Sequence, residues 1–165
     1  MTEQAPFDPY ALLAALDRER VSYVVVGGFA RVVHGSGETT AGLDIVPSLR
    51  EENLRRLGRA LEELGAPLSG KELNSSEPVA ASTGSGDLRI VPTPWGTRGY
   101  DDLRIRAVRE NLGRGVRPAV ASAVDCVRML EASERDVDAN CLVRLRRMME
   151  LERQLVPQRG LGIDI

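Results

Sequence analysis

The residues able to do chemistry sit around one glycine pair and a handful of charged side chains. Gly27-Gly28 ends the β-branched run Tyr23-Val24-Val25-Val26 and precedes an apolar helical segment, Phe29 to Val33. A strand that breaks at glycines before a helix exposes backbone N–H groups to an anion such as phosphate. Asp44 stands inside a second apolar run, Leu43 to Val46. A carboxylate on a strand beside such a turn is a candidate ligand for a divalent metal. Glu38, in the loop between the two runs, and Asp87, just before the apolar Leu88 to Val91, are further acidic candidates. Arg89 places a cation in that same later strand.

Each of these residues also has a plain structural use. Gly27-Gly28 serves equally as a tight strand-to-helix turn with no ligand. His34, the sole histidine, suits a hydrogen-bonded loop position better than a catalytic base. Trp95 and Tyr100 could stack on a base or plug a sheet edge. Arg144, Arg146, Arg147 and Arg153 interleave with Glu150 and Glu152, which reads as a solvated or partner-facing helix.

The elements that must position these groups follow from pattern. Asp8-Pro9 opens a helix reaching about Arg20, with Leu12, Leu13 and Leu16 as its apolar face. Val21 to Val26 is a buried strand, Phe29 to Val33 a short helix, Ser36 to Gly42 a loop. Leu43 to Val46 is the next strand, closed by Pro47. Ser48 with Glu51 predicts a capping box for a helix striped by Leu54, Leu57, Leu61 and Leu64 and stopped by Gly65. Between Gly65 and Gly86 one short strand is expected near Val79-Ala80. Leu88 to Val91 is a strand, and Tyr100 to Leu103 a single helical turn. Ile105 to Asn111 and Val116 to Ala121 read as strands around Gly113-Arg114-Gly115. Ser122 caps a helix through Ala132, and Asp136 begins a longer one ending near Pro157. The expected architecture is α/β: a mixed β-sheet flanked by helices, with C-terminal helices from about 122. One domain over 1–157 and a mobile tail at 158–165 complete it.

Composition narrows the partners. A chain of 165 residues with 42% hydrophobic content suits one domain with a real core. A net charge of −2 argues against a surface built wholly for nucleic acid. Lys71 is the single lysine, so positive charge is almost all arginine; a GC-rich bacterial genome is the expected cause, and guanidinium–phosphate recognition is the alternative. Cys126 and Cys141 lack metal-ligand spacing and read as reduced, half-buried residues. No segment suggests a membrane span or signal peptide, so a cytoplasmic location is expected.

The order and spacing of these motifs resemble the nucleotidyltransferase (DNA polymerase β-like) superfamily, closest to its minimal, toxin-like subgroup. Gly27-Gly28 matches the phosphate-binding pair, and His34-Gly35 with Thr39-Thr40 the loop before the catalytic strand. Gly86-Asp87-Leu88-Arg89-Ile90 matches the strand of the third carboxylate, and Gly96 to Leu103 the turn that follows it. The resemblance implies phosphate or nucleotide contacts from Gly27, Gly28, Thr39, Thr40 and Arg135. It implies a magnesium-dependent transfer where two carboxylates, two residues apart on one strand face, and a third on a later strand hold the ions.

Three positions depart from that pattern. Asp44 fits the second carboxylate, but Gly42 stands at the first and Arg89 at the third. Leu130 occupies a position where toxin-like relatives carry lysine, while Arg135 and Asp138 match the residues that follow. Asp87 lies about 6.5 Å along the strand from Arg89, too far to replace a ligand without a register shift. An ion pair between Asp44 and Arg89 across neighbouring strands is expected instead. The favoured function is a degenerate, pseudoenzyme-like protein without a cofactor that binds nucleotide, RNA or a protein partner for regulation. An active enzyme, with catalytic Asp44 and with Asp87 or Glu38 helping to hold Mg2+, is the alternative. An antitoxin-like or self-associating interaction module is the third.

Overall fold

The computed structural model describes residues 6–133 and 139–163. Its centre is a six-stranded mixed sheet in the order β3-β4-β2-β1-β6-β5. Helix α1 (Pro9–Arg18) opens as its sequence dictates: the Asp8 carboxylate accepts the Ala11 N–H and Pro9 takes the first helical position. Leu12, Leu13 and Leu16 are buried along its inner face. β1 (Tyr23–Val26) is buried at every residue, consistent with its unbroken β-branched run. Gly27 then turns the chain directly into α2 (Gly27–Val33).

β2 (Gly42–Pro47) pairs antiparallel with β1, setting Val26 opposite Asp44. β4 (Gly86–Ile90) runs parallel to β2, with Gly42 opposite Asp87 and Asp44 opposite Arg89. β3 (Val79–Thr83) completes a hairpin with β4. Strand alternation therefore splits this half of the sheet cleanly. Leu43, Ile45, Leu88 and Ile90 are fully buried with α1 and with α3 (Glu51–Glu63), while Asp44, Asp87 and Arg89 share the open face.

Several expectations on α3 and beyond are corrected. Ser48 is not a capping residue: α3 starts at Glu51, and Arg50 precedes it without a side-chain cap. Asn53 does the tying instead. Its Oδ1 accepts the Ser22 N–H at 2.7 Å and its Nδ2 donates to the carbonyls of Ser22 and Ser48 at 2.9 and 2.8 Å. One buried amide thus satisfies the backbone where β1 begins and β2 ends. A short helix, α4 (Gly70–Leu73), capped by Ser69, lies in the segment expected to be loop.

After α5 (Tyr100–Leu103) the two expected strands shrink to β5 (Val108–Arg109) and β6 (Ala119–Val120). The glycines and prolines flanking them leave few residues in ladder geometry. α6 (Ala123–Ala132) is capped by Ser122, as its sequence predicts. α7 runs Ala139–Ile163, past the expected stop near Pro157, and its expected start at Asp136 lies outside the described residues. Proline's fixed φ is itself helical, so the chain can continue through it at the cost of one hydrogen bond and crowding of the carbonyl four residues earlier. A satellite cluster of Val127, Leu130, Cys141 and Leu145 joins α7 to α6. Among the described residues no helix is long and apolar enough to cross a membrane.

Candidate functional site

The glycine pair is packed by carboxylates. Gly27 adopts a φ of +70°, and a Cβ there would collide with the Asp44 Oδ2. Glycine is required twice over, by backbone conformation and by the close approach. At Gly28 a Cβ would lie 3.3 Å from both the Glu38 Oε1 and the Thr40 Oγ1. The 36–40 loop therefore folds back over the start of α2. Thr40 Oγ1 donates to the Gly42 carbonyl at 3.0 Å, while Thr39 is exposed.

Glu38 is held firmly. Arg31 reaches it with two bonds, Nε to Oε2 at 3.0 Å and Nη2 to Oε1 at 2.8 Å, and the Cys141 thiol donates to Oε2 at 3.2 Å. Burial alone pushes the Glu38 carboxyl up. The bonds from Arg31, Cys141 and Ser36 outweigh burial and hold the group below the ordinary carboxylate range. The clamp with Arg31 had no sequence signal, because α2 and the loop meet only in three dimensions. Arg144 of α7 closes the loop from outside by donating to the Ser36 carbonyl at 3.0 Å.

Asp44 and Arg89 approach as expected, with Arg89 Nη1 3.9 Å from Asp44 Oδ2. The Arg89 side chain is 47% exposed and that of Asp44 26%, so the pair is solvent-screened and worth at most about 1 kcal/mol. Its importance lies in charge placement. The cation stands where the resemblance implies an anion.

Both residues line a cleft of about 520 Å³ with Val26, Gly27, Arg31, Glu77, Trp95, Met129 and Leu130. Its volume lies within the range of small-molecule sites. Trp95 is 65% exposed and leaves an aromatic face available in the cleft wall. Tyr100, expected to share the role of Trp95, lines a different cavity. Leu130 is buried in the α6–α7 contact as well as lining the cleft, so it is a packing residue. Arg135 and Asp138 lie outside the described residues.

His34 takes the structural role. Its Nε2 lies 2.7 Å from the Ala121 carbonyl in a buried site, which requires Nε2 to carry the proton and donate. Cys126 is buried, which pushes its thiol up to about 12 and leaves it inert at neutral pH.

The donor set does not fit a magnesium site. Asp44 supplies a carboxylate, but Gly42 has no side chain, and a Cβ there would meet the Asp87 carbonyl oxygen at 3.0 Å. Arg89 is cationic, and both Glu38 oxygens already serve Arg31. Asp87 is one residue pair removed, opposite Gly42 rather than Asp44. Among the described residues no group of three or more His, Cys, Asp or Glu side chains is arranged to hold a metal.

No protein-family model and no curated protein matches the sequence. Solved structures do match its shape. A crystal structure of ANT(2'')-Ia in complex with adenylyl-2''-tobramycin superposes with a TM-score of 0.60 at 16% identity, covering 94% of this chain and 95% of that one. A solution structure of the antibiotic-resistance factor ANT(2'')-Ia gives 0.55 at 15% identity, over 94% and 92% of the two chains. ANT(2'')-Ia is an aminoglycoside nucleotidyltransferase. The chain therefore has the nucleotidyltransferase fold, with its mixed sheet and flanking helices.

Proposed function

We propose that this protein binds nucleotides in the cleft beside Gly27 without magnesium and without transferring them, as a regulatory member of its fold class. The observation that carries this reading is the Arg89 guanidinium 3.9 Å from Asp44 on the open sheet face. A divalent ion between those strands would share its space with a fixed positive charge. An anionic ligand meets the opposite situation. Arg89 offers a planar donor fork suited to phosphate oxygens, and Trp95 offers a ring on which any base can stack. Because neither contact reads base edges, the binding is expected to discriminate weakly among bases.

The resemblance to toxin-like relatives associates this function with bacterial defence or stress regulation in the cytoplasm, and the bound nucleotide is the regulatory signal. Calorimetric titration of ATP, GTP, CTP and UTP in EDTA tests the reading. Measurable binding of all four is expected, weakened about tenfold in Arg89→Ala, as loss of a charge-assisted hydrogen bond implies. Absence of binding in EDTA contradicts it. A concentration-dependent dimer with no nucleotide affinity would point to the interaction module instead.

A further inference from the structure

A second cavity lies at the other end of β1. It has a volume of about 540 Å³ and is lined by Asp17, Arg20, Tyr23, Tyr100, Arg104 and Arg109 among others. Three arginines and one aspartate therefore line it. Asp17 is already engaged, accepting from the Tyr23 hydroxyl at 3.3 Å. Among the described residues the one ion pair found for Arg104 is with Asp101, at 3.4 Å and largely in solvent, a contact of little worth. Arg109 donates to the Arg117 carbonyl with one of its nitrogens. Among the described residues no side-chain hydrogen bond or ion pair of Arg20 is found. In a chain of net charge −2, this is a local concentration of positive charge in a concave site.

Arg20 also occupies a backbone position that suits glycine better. Its φ is +55°, in the left-handed cap that ends α1, where Arg20 N–H bonds the Asp17 carbonyl and Val21 N–H the Leu16 carbonyl. Glycine takes that conformation without strain. The other described non-glycine residue at positive φ is Arg114, whose guanidinium lies 4.4 Å from the centroid of the Tyr10 ring. Arg114 thus has a visible use for its side chain, whereas Arg20 lines the cavity.

We propose that the cavity formed by Arg20, Arg104 and Arg109 binds a small phosphorylated anion, of the pyrophosphate or organic oligophosphate class, separately from the Gly27 cleft. The three forks supply enough donors for two phosphate groups. Tyr23 and Tyr100 supply the wall. The concave shape favours a compact ligand over an extended nucleic-acid backbone, which tracks grooves rather than filling cavities. This inference does not rest on the nucleotide reading of the first cleft.

Amide chemical-shift mapping with inorganic pyrophosphate tests it on the full chain. The expected result is saturable shifts at Arg20, Ser22 and Arg109, distinct from any at Gly27 and Asp44. Arg20→Gly relieves the strained cap, so it is expected to fold as well as the native chain. It should weaken pyrophosphate binding about tenfold, in line with one lost charge-assisted contact. Arg109→Gln should act in the same direction. Absence of shifts around the cavity would overturn the proposal, as would unchanged affinity in folded Arg20→Gly. Shifts produced by a single-stranded RNA oligonucleotide but not by pyrophosphate would overturn it in favour of nucleic acid.

Discussion

At the residue scale, the two acidic side chains beside the glycine pair have opposite fates. Glu38 is locked by Arg31, whereas Asp44 meets a half-exposed Arg89 across the strand gap. Glu38→Gln would leave the Arg31 guanidinium, 14% exposed in its side chain, without its counter-charge. A loss of about 1–3 kcal/mol in unfolding free energy is expected, measurable by urea denaturation. The pH dependence has a definite sign. Because the folded Glu38 carboxyl sits below its ordinary value, its stabilisation is present above the unfolded value of about 4.3. It is lost as pH falls through the lower folded value. Native protein should therefore lose more stability than Glu38→Gln across that acidic window. Asp44 gives the sharper functional contrast. Asp44→Asn removes a negative charge from beside the phosphates, so nucleotide affinity should hold or rise; in a metal-dependent transferase the same change would abolish function.

Elements decide whether those residues meet at all. The 36–40 loop is held by both neighbouring helices, through Arg31 of α2 and through Cys141 and Arg144 of α7. α7 is anchored by the satellite cluster around fully buried Leu145. Leu145→Ala should cost about 2–5 kcal/mol as a core truncation and should raise hydrogen exchange at Glu38 and Thr40. Gly27→Ala should be costly for a different reason: it strains a positive φ and collides with Asp44, with about 1–3 kcal/mol lost in thermal or urea unfolding. The strand–glycine–helix unit was legible in the sequence because a β-branched run and local turn chemistry encode it. The Asp44–Arg89 register was expected only from the resemblance, since alternation alone does not say which strands are neighbours. The Ser48 cap was misread because three buried bonds of Asn53 override a local propensity. Likewise the Arg31–Glu38 clamp and the Arg20 cavity depend on contacts between elements, which no local pattern records.

At the scale of the molecule, the chain has the nucleotidyltransferase fold, and the open face of its sheet carries Asp44, Asp87 and Arg89. Fold specification rests on buried residues such as Leu43, Ile45, Leu88 and Ile90, so the opposite side of the same strands is free to change sign. Gly42 illustrates the constraint that accompanies this freedom. The Asp87 carbonyl oxygen would lie 3.0 Å from a Cβ there, so a carboxylate side chain at this position requires β4 to give by a few tenths of an ångström. The decisive measurement is the affinity for ATP in magnesium against its affinity in EDTA, by calorimetry with product analysis of the same samples. Arginine standing in for metal predicts equal or tighter binding in EDTA, since magnesium neutralises the charge that Arg89 would grip, and intact ATP afterwards. Binding strengthened tenfold or more by magnesium, with release of pyrophosphate, would contradict it.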